Sequence, residues 1–254
     1  GLLQQPVSMH AVETREAPDA AFVLELKKLP RGTNPRRLDE VLHQGTTLTV
    51  ARARALFDAQ MTSRHVDYAA RRLRAEVAGY YTIASAGHEG NACVAAATRP
   101  TDPALLHYRS GAFFVERARQ GEPEMDPVRA MLLGIVASAD DPIAGGRHKV
   151  FGSRALEILP QTSTIASHLP RAVGLAFAIE RAKKLKLPAR FPEDAIVVAS
   201  FGDASANHST LAGAVNTACH CAHQHLPLPL LFVCEDNGIG ISVETPPGWI
   251  RAAY

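Results

Sequence analysis

The chain is short of everything that marks a secreted, membrane-spanning or nucleic-acid-binding protein. Only four cysteines occur in 254 residues, Cys93, Cys219, Cys221 and Cys234, and they follow no secreted disulfide framework, which favours a reducing compartment. No apolar run reaches membrane-spanning length. Aromatic residues make up 6%, the net charge is only +2, and no basic run or aromatic platform is present to track a phosphate backbone. Nucleic acid and membrane are therefore not expected partners. The first residues carry neither a signal-peptide apolar core nor the acid-poor composition of a transit peptide. Internal repeats and low-complexity segments are missing as well. What remains, 46% hydrophobic and 20% charged residues, is enough for one large domain with a substantial core.

The pattern along the chain separates an arm from that domain. Residues 1–37, with Glu13, Glu16 and Asp19 among Pro6, Pro18 and Pro30, read as an extended N-terminal arm, and the domain occupies 38–254. Within it, Leu48 to Val77 is rich in Ala, Arg and Leu and free of Gly and Pro, so it predicts a long helix. A second long helix is expected from Pro170, which suits a first turn, to the cations Arg181, Lys183, Lys184 and Lys186, which suit a helix C-terminus. Leu187-Pro188 then stops it. Two short apolar runs, Ile196–Phe201 and Leu230–Cys234, read as strands. Helix and strand patterns in alternation predict an α/β fold, a doubly wound parallel sheet with helices on both faces.

Each strand-like run ends in a small polar constellation, Gly202-Asp203-Ala204-Ser205 and Glu235-Asp236-Asn237-Gly238-Ile239-Gly240. A β-branched run that opens into Gly-Asp delivers a carboxylate and free backbone N–H groups to the carboxyl edge of a parallel sheet, where a metal-bound diphosphate can sit. Mg²⁺ wants hard oxygen ligands, and the Asp203 carboxylate, the Asn237 amide oxygen and the Ile239 carbonyl offer them. A Gly-Asp after a strand is equally an ordinary strand–turn–helix junction, so this motif alone decides little. Cys219-His220-Cys221-Ala222-His223-Gln224-His225 suggests zinc but lacks the paired spacing of structural zinc sites. Gly238-Ile239-Gly240 would need a third Gly at position 243 to be a dinucleotide fingerprint, and Val243 stands there. Gly145-Gly146-Arg147-His148 reads as a flexible turn.

Together the two constellations resemble the signature of thiamine-diphosphate enzymes, Gly-Asp-Gly followed across a helix and a strand by Asn-Asn. Ala204 stands for the third Gly and Asp236 for the first Asn, and the two halves lie several residues further apart than is usual, an excess assignable to His220–Pro229. Upstream, Gly87-His88-Glu89-Gly90 and Leu106-His107-Tyr108-Arg109-Ser110-Gly111 resemble a helix start and a Tyr-Arg element in the alpha subunits of 2-oxo acid dehydrogenase decarboxylase components. Gln161 to Pro170 resembles their segment before a long small-residue helix. The elements appear in family order from about Leu38 to Val243.

The resemblance implies thiamine diphosphate and Mg²⁺ as cofactors. Asp203, Asn237 and the Ile239 carbonyl would hold the metal, and Tyr108 and Arg109 would touch the diphosphate beside Gly202, Ala204 and Ser205. Ser163 would bond near the aminopyrimidine and Ile165 would wedge the cofactor bent, although Ser163 as a helix cap and Ile165 as core are the plain alternatives. Tyr81 falls near a substrate-lining position. The implied reaction is oxidative decarboxylation of a 2-oxo acid with acyl transfer to lipoamide, in the cytoplasm or, for a processed eukaryotic chain, the mitochondrial matrix. Partners would be a beta subunit or fused pyrimidine-binding domain that brings an activating glutamate, and a lipoyl acyltransferase. The family's later loop with its catalytic His has no counterpart before Tyr254, so no histidine is assigned a catalytic role and a C-terminal truncation is expected. A non-catalytic cofactor-binding scaffold and a transketolase-like carboligase are the competing readings. Gly146-Arg147-His148 resembles the branched-chain type and Cys234-Glu235 the pyruvate type, so the 2-oxo acid stays open.

Overall fold

Four parallel strands and one antiparallel edge strand make the central sheet: β1 (Ala104–Leu105), β2 (Phe151–Ser153), β3 (Ile158–Gln161), β4 (Val197–Gly202) and β5 (Leu230–Glu235). Their spatial order is β2-β3-β1-β4-β5, with β2 running against β3 and the rest parallel. The computed structural model describes residues 36–80, 83–143, 145 and 151–254, with 20, 23–25 and 27–29. Most of the arm expected over 1–37, Tyr81 and the Gly146-Arg147-His148 turn lie outside the described residues.

The chain divides into two units, 1–51 and 52–254. In the first, Arg36 folds the described backbone around itself: its guanidinium donates to Glu40 and, at 2.7 Å each, to the carbonyls of Val41 and Leu42. An antiparallel bridge joins Val41 to Thr49.

The second unit carries the sheet, all but the first two residues of helix α1 (Val50–Ala75), and helices α2 (Asn91–Ala97), α3 (Gly111–Gly121), α4 (Pro127–Ile135), α5 (Leu169–Leu185), α6 (Ser209–His223) and α7 (Trp249–Ala253). The expected helix over Leu48 to Val77 is α1, ending where Val77 takes a positive φ of 59°. α5 has Pro170 in its first turn and Lys183 and Lys184 in its last, where cations meet the negative end of the helix dipole. Lys186 at φ 54° turns the chain out of the helix.

Every residue of β4 is buried, the mark of a parallel strand covered on both faces. Val197, Ala199 and Phe201 enter an apolar cluster with Leu169, Ala172, Val173 and Ala176 of α5 and Leu211 and Ala214 of α6. From the other face, Ser200 Oγ accepts the His107 N–H at 2.9 Å and lies 3.2 Å from the Ser110 hydroxyl at the start of α3. The doubly wound arrangement follows. After β1 the chain moves left, through α3 and α4, to the β2–β3 pair, and after β4 it moves right, through α6, to β5; crossovers of the usual right hand in opposite directions set their helices on opposite faces. Among the described residues β5 borders the sheet on that right-hand side. Among the described residues no helix is long and apolar enough to cross a membrane.

Candidate functional site

The reversal between β1 and β4 is a topological switch point, where the carboxyl ends of neighbouring strands part and leave a crevice. The sequence motifs converge there. β1 runs into His107-Tyr108-Arg109, β3 into the segment with Ser163 and Ile165, β4 into Asp203, and β5 into Asn237. Tyr108, Arg109, Ile165, Gly202, Asp203, Ala204, Ser205 and Ile239 border one pocket of about 210 Å³. Ser163 and Asn237 are outside that lining.

Backbone pairing fixes the two main loops. Gly202 of β4 is in register with Glu235 of β5, so the Asp203 and Asn237 turns leave the sheet side by side. Asp203 does not begin an α-helix directly: Asp203–Asn207 is a 3₁₀ turn, and α6 starts at Ser209, capped by the His208 ring accepting the Thr210 N–H at 3.1 Å. The tighter turn keeps Asp203, only 2% exposed, at the strand end. Its Oδ2 accepts a hydrogen bond from the Thr245 hydroxyl. Among the described residues Oδ1 carries none.

Asn237 is held from both ends of its amide. Oδ1 accepts the Ile239 N–H at 3.2 Å and keeps its second lone pair, while Nδ2 donates to the Ala86 carbonyl at 3.4 Å. Gly87, at φ +82°, makes that approach possible, since a Cβ there would lie 2.6 Å from Asn237 Cβ. The departure at Ala204 is also accounted for: the Ala204 methyl faces Gly240, where an added Cβ would come within 2.8 Å of it. The missing glycine of one turn is supplied by the next. Past Asn237 the chain forms a hairpin of β6 (Ile239–Gly240) and β7 (Val243–Glu244).

Arg109 is clamped rather than solvated. Its Nη1 donates to the Ala84 carbonyl, its guanidinium sits 5.4 Å from the Tyr108 ring centroid, and its N–H donates to His107 Nδ1 at 3.2 Å. Tyr108 is 8% exposed, whereas Ile165 is 42% exposed and so is not core. Ser163 does not cap α5, whose N-cap is His168.

The motifs gave no role to three buried side chains, two histidines that line the pocket and a glutamate that backs them. His88 and His107 stack with centroids 4.7 Å apart and planes 16° apart, and His88 Nδ1 bonds Glu235 Oε2. Glu235 Oε1 is buried with no hydrogen-bond partner among the described residues. Ligand atoms of the three lie within 4.8 Å of one another, the gathering that the Cys219–His225 run does not achieve among the described residues. Each Nδ1 is already engaged, so the group reads as a hydrogen-bonded cluster. One signal in the sequence pointed to it: a glutamate closing the otherwise apolar run of β5.

The electrostatics suit a cation. Cys234 is pushed up to about 12, first by burial and then by the charges of Asp203, Asp236 and Glu235. That field, with oxygen donors on Asp203, Asn237 and the Ile239 backbone, matches the hard ligand set of Mg²⁺. A larger chamber of about 320 Å³, lined by Val66, Phe114, Met131 and Phe151, touches the crevice only through Arg109. Its walls are mainly apolar, and its buried Asp67 is satisfied by the Ser85 N–H at 2.9 Å and the Ser85 hydroxyl at 2.7 Å. The smaller crevice is therefore the candidate site.

A family model described as "Dehydrogenase E1 component" matches residues 58–248. The chain is 31% identical over 115 residues to the 2-oxoisovalerate dehydrogenase subunit alpha of Bacillus subtilis (strain 168), covering 44% of this chain and 31% of that protein. It is 29% identical over 167 residues to the mitochondrial subunit alpha of that name from Caenorhabditis elegans, covering 65% and 34%. With the mitochondrial subunit alpha 2 of Arabidopsis thaliana it shares 34% over 95 residues, covering 37% and 17%. The matched stretches thus span about a third or less of these relatives' own length.

Proposed function

The chain belongs to the dehydrogenase E1 component family, and from that premise we propose that it is the alpha subunit, or part of it, of a 2-oxo acid dehydrogenase decarboxylase component. The relatives' names favour a branched 2-oxo acid, 2-oxoisovalerate, as substrate. One observation carries the reading: the switch-point crevice brings the Tyr108-Arg109 loop opposite Asp203, Ala204 and Ser205, with Ile239 beside them.

In this proposal Asp203, Asn237 and the Ile239 carbonyl would hold Mg²⁺, whose charge would favour a diphosphate beside it. The planar fork of Arg109 grips phosphate oxygens, and Tyr108 backs it. The partly exposed Ile165 would pack against the bound cofactor as an apolar wedge, and Ser163 would offer its hydroxyl near the aminopyrimidine. Thiamine diphosphate, when bound, supplies the carbon nucleophile and the electron sink that let a 2-oxo acid lose CO₂. The chain anchors and orients it, while a beta subunit or fused pyrimidine-binding domain brings the activating glutamate and closes the crevice against water. A lipoyl acyltransferase then takes the acyl group.

The test is Asp203→Ala in the chain assembled with its partner subunit, titrated calorimetrically with thiamine diphosphate with and without Mg²⁺. The expected result is loss of Mg²⁺-dependent binding with thermal melting unchanged, and loss of CO₂ release from 2-oxoisovalerate. Unchanged cofactor affinity would overturn the metal assignment.

A further inference from the structure

Resting on that metal reading, we propose that Thr245 is a positioning residue that joins the two ligand turns and decides which oxygen of Asp203 faces the crevice. Thr245 follows β7 and makes two contacts that no other described residue combines. Its backbone N–H donates at 3.0 Å to the carbonyl of Gly238, the residue between Asn237 and Ile239. Its hydroxyl donates to Asp203 Oδ2. One residue thus links the turn after β4 to the turn after β5, bridging 42 positions of sequence.

The direction of approach matters. Asp203 borders the crevice on one side and a second pocket of about 440 Å³ on the other, and Thr245 borders only the second. The hydroxyl therefore reaches the carboxylate from behind the crevice. The two oxygens of a carboxylate are chemically equivalent, and the side chain rotates to exchange them unless something breaks the symmetry. A donor fixed on Oδ2 breaks it and leaves Oδ1 for a cation.

Thr suits the task. Its β-branched side chain is stiff about χ1, and the following Pro246 holds residue 245 in extended backbone, so the hydroxyl has little freedom to wander. Hydrogen bonds that orient a ligating carboxylate from outside typically govern roughly 10–100-fold in metal affinity.

The experiment uses the full chain assembled with its partner subunit. Mn²⁺ binding is followed by electron paramagnetic resonance in the presence of thiamine diphosphate, for wild type, Thr245→Val, Thr245→Ser and Asp203→Ala. Val keeps the branched shape and the backbone N–H and exchanges the hydroxyl for a methyl. It should weaken metal binding by roughly 10–100-fold, with the cofactor-free melting temperature unchanged. Ser keeps the hydroxyl and should bind within a few-fold of wild type. Wild-type affinity in the Val variant, with Asp203→Ala impaired, would overturn the role of Thr245. So would a Ser variant as weak as Val, because the hydroxyl would then not be the operative group. Wild-type affinity in Asp203→Ala would overturn the metal assignment itself, and the proposal with it.

Discussion

The two faces and the end of β4 are made differently. Val197, Ala199 and Phe201 pack into an apolar cluster with α5 and α6 that contains no charged group, while the residues just past the strand's end gather Asp203, Glu235, His88 and His107 within a few side chains. The first region is closed, uniform and built for burial. The second is a crevice with an orphaned glutamate oxygen, where burial first and then the charges of Asp203, Asp236 and Glu235 push Cys234 up to about 12. The contrast teaches that stability and binding are drawn from different ends of one strand, so substitutions should separate them.

The largest effect is expected in the cluster. Leu169, fully buried at the start of α5, leaves a cavity when cut to Ala, and Leu169→Ala should lower unfolding free energy by about 2–5 kcal/mol. Urea titration measures the loss, and the protein that remains folded should bind cofactor as wild type does. Reduced affinity in that folded fraction would break the separation.

Next in size is a substitution at the boundary. Gly240→Ala would place a Cβ 2.8 Å from Ala204 Cβ, an overpacking that costs about 1–3 kcal/mol and displaces the hairpin. Adding Ala204→Gly removes the opposing methyl, so a double-mutant cycle on stability should show strong coupling and recovery in the double variant. Additive effects would show that the two turns do not press on each other.

Arg109→Lys should barely touch stability. It exchanges a planar fork for a point charge, so affinity for thiamine diphosphate should fall roughly tenfold or more, while affinity for the monophosphate falls less. Isothermal titration with both ligands checks this. Equal losses would mean that Arg109 does not grip the terminal phosphate.

The smallest effect is a pH dependence. Burial holds the His168 imidazole below the ordinary histidine range, with the nearby Arg171 charge adding to it and the Ser200 carbonyl, 2.7 Å from Nε2, opposing it. The folded state therefore stays neutral where the unfolded chain takes up a proton, near pH about 6.5. Stability is retained above that pH and declines below it as the unfolded state binds the extra proton. Urea unfolding at pH about 7.5 and about 5.5 should show a larger drop for wild type than for His168→Gln. Parallel declines would remove His168 from the account.

Much of this was legible in the sequence wherever the signal was local. β4 and β5 lie within one residue of the apolar runs Ile196–Phe201 and Leu230–Cys234; β4 is continuously apolar because it is covered on both faces, whereas β5 is only half-buried. α1 and α5 follow from composition and stop signals. The motif residues that were expected to meet do meet, apart from Ser163 and Asn237 at the pocket itself. What could not be read was through-space. β1 has two residues, too few for any period, and the hairpin strands are as short. The His88–Glu235 contact joins positions 147 apart, and the Gly240 that accommodates Ala204 belongs to another turn. No window along the chain contains both halves of such a pair.

The border strand β5 has a consequence for handling. Its run Leu230-Leu231-Phe232-Val233-Cys234 has no proline, no lysine and no bulge, and Leu231 is 42% exposed. Natural sheets blunt such margins with charge or kinks. An apolar margin is a template onto which the same margin of a second copy can be laid, a pairing that uses up both. Concentrated solutions of these 254 residues should therefore pair through this margin, and Leu231→Lys should keep them apart.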